Sequence, residues 1–293
     1  MLELGNIMRT DSVSARLLAK LEGWNPTGSV KDRVAAAMLA EAQAEGQLLP
    51  GGMVIEATSG NTGIGLCAVA AAQGYRCVIV MPENMSRERQ SLMRAYGARV
   101  VLTPAEQGMQ GALTRARELA LEHPGSFLPR QFENPANPVA HYTTTGPEIW
   151  ADTAGKVDVF VAGVGTGGTV TGVGRYLKEQ NPAVRVIAVE PAESPLLSQG
   201  KAGPHGIQGI GPNFVPPVLD RSVVDDVMTV TYEEAVAAAR RMGAEEGVLV
   251  GISSGAALAA ALRLAAMTEN TGKTVVALLP DSGERYLSMD LYG

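Results

Sequence analysis

The sequence predicts an α/β protein in which parallel sheets are covered by helices on both faces. Three observations carry that expectation. Short apolar, β-rich runs alternate with Ala- and Leu-rich amphipathic stretches, the pattern of strands linked by crossover helices. Several of the links place glycines and hydroxyls between a strand's end and the next helix, where ligands of open α/β sheets bind. The chain also carries 34 glycines in 293 residues without a G-X-Y period, so collagen does not explain the excess.

In chain order, the segment Asn25–Arg33 opens an Ala-rich helix. Strand Met53–Ala57 leads to helix Gly63–Gln73, strand Arg76–Met81 to helix Ser86–Tyr96, and strand Arg99–Thr103 to helix Gln107–Glu122. Gln131–Pro138, rich in Pro and Asn, reads as a domain junction. Strand Val157–Ala162, helix Gly168–Glu179 and strand Val184–Val189 follow. An ordered loop over Pro191–Pro217 precedes strand Val227–Val230, helices Tyr232–Glu246 and Ser254–Met267, and strand Thr274–Leu279.

Composition narrows the function classes. A net charge of −6 with no basic run argues against nucleic acid as a partner. The most apolar stretch, Ile64–Pro82, is broken by Gln73 and Arg76, so no bilayer span is expected. Met1 to Ser14 has no signal-type apolar core, and a cytoplasmic location is expected. Cys67 and Cys77 read as small buried hydrophobes, and neither they nor the scattered histidines show metal-ligand spacing.

Four motifs stand where helices open. Lys31, behind the turn Asn25-Pro26-Thr27-Gly28-Ser29, is placed either as a partly desolvated amine for Schiff-base chemistry or as a surface lysine of a capped helix. Thr58-Ser59-Gly60-Asn61-Thr62-Gly63 suits a carboxylate in a nest of N–H groups and hydroxyls, or simple N-capping. Gly163-Val164-Gly165-Thr166-Gly167-Gly168-Thr169 suits a phosphate held by backbone N–H groups and hydroxyls. It also satisfies G-x-G-x-x-G, with Glu190 at 22 residues past Gly168, so an NAD-binding oxidoreductase stands as an alternative. Gly251-Ile252-Ser253-Ser254-Gly255 fits a hydrolase nucleophile elbow, but His123, His141 and His205 all lie upstream, and a triad histidine would follow the serine.

Taken together, NPTGSVKDR, TSGNTG, GTGGT, GISSGA and SGERYLS, in this order over Leu21 to Leu287, resemble the cysteine synthases (O-acetylserine sulfhydrylases), pyridoxal-phosphate enzymes of fold type II. Met85–Ala98 and Gln131–Trp150 resemble the B-type isozyme, and Gly206–Pro216 the A-type. The resemblance implies two three-layer αβα domains of the tryptophan synthase β type, near 1–140 and 141–293, with pyridoxal 5'-phosphate between them. The N-terminal segment is free to pack on the larger one.

It further implies Lys31 as the Schiff-base lysine, Asn61 at the cofactor's ring hydroxyl, Gly165, Thr166, Gly167, Gly168 and Thr169 around its phosphate, and Ser253 at the pyridine nitrogen. Thr58, Ser59, Thr62 and Gln131 would bind the substrate's α-carboxylate. The implied reaction is β-replacement, making L-cysteine from O-acetyl-L-serine and sulfide or thiosulfate by elimination and then thiol addition. A homodimer and a serine acetyltransferase partner are implied as well. Condensation with homocysteine, as in cystathionine β-synthase, is the neighbouring alternative. One departure is local: the family's Gly-Asn-Thr-Pro-Leu is here Gly5-Asn6-Ile7-Met8-Arg9.

Overall fold

The computed structural model describes residues 1–289 and 291–293. Strand β1 (Leu2–Glu3), helix α1 (Gly5–Thr10) and strand β2 (Arg16–Leu21) open the chain. Then come α2 (Lys31–Ala44), β3 (Met53–Ala57), α3 (Asn61–Ala72), β4 (Arg76–Pro82), α4 (Arg87–Ala95), β5 (Arg99–Thr103) and α5 (Gly108–Glu122). The chain continues through α6 (Ala136–Ala140), a π-helical turn His141–Thr145, α7 (Gly146–Asp152), β6 (Val159–Gly163), α8 (Gly168–Gln180), β7 (Arg185–Pro191) and the short α9 (Leu196–Gln199). It ends with β8 (Asp226–Val230), α10 (Tyr232–Glu246), α11 (Ile252–Ala265) and β9 (Thr274–Leu279).

The chain forms two compact units, one of Met1–Trp24 with Pro138–Gly293 and one of Asn25–Asn137. The smaller unit carries a parallel sheet in the order β3-β4-β5. One face buries Val54, Ile79 and Met81 against Met38 and Leu39 of α2 and Ile64 and Leu66 of α3. The other buries Ile55, Val78 and Val80 against Ala112, Ala116 and Leu119 of α5. Burial on both faces is why these strands are continuous apolar runs rather than alternating ones.

The larger unit carries a sheet in the order β1-β2-β9-β6-β7-β8, parallel except for the β1–β2 pair. Leu17, Val159, Val161, Ile187 and Val275 face a layer that includes Ala256, Ala260 and Ala261 of α11. Their neighbours Leu18, Phe160, Val186 and Val276 are equally buried on the opposite face. Both units are therefore three-layer αβα structures.

The first 24 residues belong with Pro138–Gly293 rather than with the unit nearer in sequence, which shifts the partition expected at residue 140. The reason is β2, which pairs in parallel with β9 from Arg16↔Thr274 to Leu21↔Leu279. Lys20 interrupts its apolar pattern and hides it in the sequence. In the fold Lys20 is buried, and its amine donates to Glu148 Oε2 at 2.6 Å. The departure at Gly5-Asn6 becomes α1. There Glu246 of α10 accepts from Asn6 N at 2.9 Å and Ile7 N at 2.8 Å, serving two N–H groups that the helix leaves unpaired.

Candidate active site

In the smaller unit, Lys31 is the first residue of α2 and is half-buried. The turn before it is strapped down. Gly28 has φ 83° and donates its N–H to Asn25 O at 2.8 Å. Asp32 accepts from Thr27 N at 2.6 Å and from the Thr27 hydroxyl, and Ser29 Oγ accepts from Lys31 N at 3.3 Å. Helix α3 passes so close that a Cβ on Gly65 would lie 3.1 Å from both Asp32 Oδ1 and Lys31 O. Tight packing on the first turn of α2 fixes where the lysine side chain starts.

The second junction follows β3. Thr58 N continues the ladder to Val80 O at 3.1 Å, and Thr58 Oγ1 accepts from Gly60 N at 3.3 Å. Gly60 is the extended N-cap of α3, so the helix begins at Asn61, two residues before the expected start. Thr58 and Thr62 are buried, while Ser59 and Asn61 are half-buried. Thr62 Oγ1 donates to Gln131 Oε1 at 2.5 Å, bringing together two residues 69 apart in sequence. Arg89 of α4 donates to Ser59 O at 3.3 Å.

Two features of this unit were not legible as site residues. Glu56, on β3, is a buried carboxylate that accepts from Arg130 N at 3.1 Å. Burial pushes its carboxyl up to about 7, against the pull of the backbone N–H groups of Arg130 and Gln131. Cys67 and Cys77 are free and buried as expected, yet their Sγ atoms stand 3.8 Å apart. The hydrogen bond to Cys77 and burial push the Cys67 thiol well up, which makes Cys67 unreactive as a nucleophile.

In the larger unit, β6 delivers the chain into Gly163–Thr169 and then α8. Gly167 stands at φ 85° as the N-cap of α8, and Thr166 Oγ1 accepts from Gly168 N, the first N–H of that helix, at 3.4 Å. A Cβ on Gly165 would lie 2.3 Å from Gly209 O, so only glycine fits there. Thr166 and Thr169 are buried, and the loop contains no cation. Thr169 Oγ1 lies 3.3 Å from Nε2 of His141, whose Nδ1 lies 3.0 Å from Thr145 Oγ1. The π-helical turn His141–Thr145 places this buried imidazole against the loop, as such turns often do at functional sites.

Ser253 sits in the first turn of α11, 4% exposed, and its hydroxyl makes no hydrogen bond among the described residues. Its neighbour Ser254 is engaged instead, donating to Asp281 O at 3.3 Å. Asp281 in turn accepts from Tyr286 Oη at 2.7 Å. That cluster explains the SGERY segment, which braces the start of α11. Among the described residues no group of His, Cys, Asp and Glu is arranged to hold a metal ion.

The family described as pyridoxal-phosphate dependent enzyme matches residues 3–281. The chain belongs to that family. A cysteine synthase of Staphylococcus aureus is 52% identical over 283 residues, 96% of this chain and 91% of the relative. A solved cysteine synthase of Entamoeba histolytica superposes with a TM-score of 0.96 at 46% identity, covering 99% of this chain and 87% of that one. A solved O-ureido-L-serine synthase is 50% identical with a TM-score of 0.91, over 94% and 87% of the two chains.

The residues present fit pyridoxal phosphate. The Gly165–Thr169 cradle combines backbone N–H groups at the head of a 13-residue helix with buried hydroxyls, a donor set for a phosphate. Ser253 offers a neutral, unengaged hydroxyl, the partner an uncharged pyridine nitrogen requires. In the smaller unit, Lys31 offers a half-buried primary amine. The same cradle meets the G-x-G-x-x-G spacing, but Glu190, which a dinucleotide reading reserves for a ribose, is already engaged. It is 2% exposed and accepts from Leu197 N at 2.7 Å and from Ser198 N and Oγ at 3.0 and 2.6 Å.

Proposed function

We propose that this enzyme makes L-cysteine from O-acetyl-L-serine and sulfide by pyridoxal-phosphate-dependent β-replacement. The observation that carries this reading is the 52% identity to a cysteine synthase across nearly the whole chain. Bound pyridoxal phosphate supplies a carbonyl for the substrate's amino group and a ring that draws electrons from its α-carbon. Lys31 anchors the cofactor between turnovers and, once displaced, takes the α-proton at Nζ. Thr58, Ser59, Thr62 and Gln131 bind and orient the α-carboxylate, and Asn61 holds the cofactor's ring hydroxyl. Gly165, Thr166, Gly167, Gly168 and Thr169 hold its phosphate. Ser253 meets the ring nitrogen with a hydroxyl rather than an acid, which leaves that nitrogen unprotonated. By leaving that nitrogen unprotonated, Ser253 would favour expulsion of acetate from Cβ over competing reactions at Cα. Sulfide then adds at Cβ, and Lys31 returns the proton.

Purified protein given O-acetyl-L-serine and sulfide releases cysteine, and Lys31→Ala lowers that rate by on the order of 10³-fold or more. Cysteine formation from O-phosphoserine but not from O-acetylserine reassigns the donor. Turnover with homocysteine but not sulfide reassigns the reaction to cystathionine formation. The 50% identity to an O-ureido-L-serine synthase favours a second reading, in which the acceptor is an oxygen nucleophile carrying a ureido group. Competition between sulfide and hydroxyurea for the same O-acetylserine decides between them.

The resemblance to the cysteine synthases also supports a cytoplasmic homodimer and serine acetyltransferase as its partner. Among the described residues no helix is long and apolar enough to cross a membrane. Light scattering of the purified protein, alone and mixed with that acetyltransferase, tests both associations.

A further inference from the structure

Strand β3 is continued on its outer edge by the segment that follows α5. Phe127 N donates to Met53 O at 2.8 Å, and Ile55 N donates to Phe127 O at 2.9 Å. The next position on that register is Pro129, which has no N–H, and the backbone ladder stops there. The carboxylate of Glu56 takes over, accepting from the backbone N–H groups of Arg130, at 3.1 Å, and Gln131. Arg130 stands at φ 51°, a conformation rare for residues other than glycine. Gln131 is also held by Asn137 Nδ2, which donates to its carbonyl at 2.8 Å. Thr62 Oγ1 occupies Gln131 Oε1, which leaves the Nε2 hydrogens as the donors this side chain can offer.

Glu56 is 7% exposed and forms no ion pair among the described residues. An ionised carboxylate is expensive there, and what it adds over a neutral amide is charge-assisted acceptance from the N–H groups of that turn. We propose that Glu56 is a positioning residue for the substrate's carboxylate. It holds the Arg130–Gln131 turn in its left-handed conformation and thereby sets the Gln131 amide. This rests on the placement of Gln131 at the substrate carboxylate given above. The charged groups acting on Glu56 are Arg130, which draws its titration down, and Glu133, which pushes it up, both on the same turn. As a carboxylate Glu56 accepts both N–H groups, and as a neutral acid it accepts them less well. The turn therefore loosens as pH falls through about 7.

The test measures kcat and KM of the holoenzyme for O-acetyl-L-serine from about pH 6 to about pH 8.5. In the wild type KM rises toward acid pH. Glu56→Gln raises KM at pH 8 about tenfold, leaves kcat and the cofactor's absorbance near wild type, and flattens the acid rise in KM. Gln131→Ala raises KM by at least as much, and the double variant shows less than the product of the two effects. KM for sulfide stays unchanged throughout. A Gln131→Ala effect without a Glu56→Gln effect overturns the positioning role and leaves the substrate reading standing. An unchanged KM in Gln131→Ala overturns the placement of Gln131 itself. A fall in kcat at constant KM in Glu56→Gln, or a pH-independent KM in the wild type, overturns the proposal even if the variant folds poorly.

Discussion

The two glycine-bearing junctions, Thr58–Gly63 and Gly163–Thr169, look alike in sequence and are built differently. Both follow a parallel strand and open a helix whose N-cap is a glycine. In the second, a Cβ on Gly165 would meet Gly209 O at 2.3 Å, and one on Gly167 would meet Leu219 Cβ at 2.7 Å. Its shape is set by neighbouring chain on several sides. In the first, Gly60 has φ −110°, and a Cβ there would meet nothing within 4 Å. That junction is secured by side chains, through Thr58, Thr62 and Gln131; its apex glycine stays open, while a Cβ on Gly63 would meet only side-chain atoms of Met93 and Thr58, at 2.7 and 2.9 Å, and Ile79 beyond them. A mould cast in backbone suits a group that stays bound. A loop held by hydrogen bonds and open at its apex suits a substrate that enters and leaves each turnover. The contrast teaches that glycine at a strand–helix junction reports the position of a site but not its stiffness.

The comparison can be broken most directly at Gly165. Gly165→Ala forces a methyl group onto a backbone carbonyl, so thermal denaturation should show a loss of about 3 kcal/mol, the upper end for overpacking, together with lost cofactor. Wild-type stability with full cofactor retention would show that the mould yields.

The next effect is electrostatic. The folded carboxyl of Glu56 titrates near 7, above its ordinary 4.5, so its contribution to stability is complete below about pH 4.5 and is lost as pH rises through about 7. Glu56→Gln, which does not titrate, should gain stability relative to wild type across that window by up to about 3 kcal/mol, measured by urea denaturation at each pH. A constant difference would place the titration elsewhere. Thr62→Val should cost about 1–3 kcal/mol, because it leaves Gln131 Oε1 buried without its donor, and should raise KM for O-acetylserine. An unaffected KM would detach Gln131 from the substrate. The smallest effect is expected at Gly60, where Gly60→Ala should change stability by no more than about 0.5 kcal/mol. A larger loss there would erase the distinction between the two loops.

The motifs were legible because each is local. Glycines and hydroxyls between an apolar run and a helical period mark a strand–helix junction wherever the strand ends up; Thr58–Thr62 and Gly165–Thr169 lie at such points, and Lys31 and Ser253 at the starts of α2 and α11. Glu56 carried no comparable mark. In sequence it is an acid one residue from the end of a strand, and the backbone N–H it accepts belongs to Arg130, 74 residues away. The cysteines, ten residues apart in sequence, were readable as buried but not as neighbours, since their 3.8 Å approach depends on how α3 packs on β4. The segment Gln131–Pro138, read as a junction, indeed contains the change of unit, between Asn137 and Pro138. The helices beyond it went unassigned because a π-helical turn interrupts their period.

By itself, the amino-acid order determined that the chain is α/β, that its sheets are parallel and buried on both faces, and which junctions carry glycines and hydroxyls ahead of a helix. Those properties follow from hydrophobic period and from turn chemistry within a few residues, which neighbouring segments do not alter. The tertiary structure alone decided that Arg16–Leu21 joins the larger sheet beside Thr274–Leu279, that Thr62 and Glu56 both converge on Gln131, and that one glycine loop is cast tight while the other stays open. These depend on contacts between segments far apart in the chain, and a contact of that kind leaves no periodic trace in either segment.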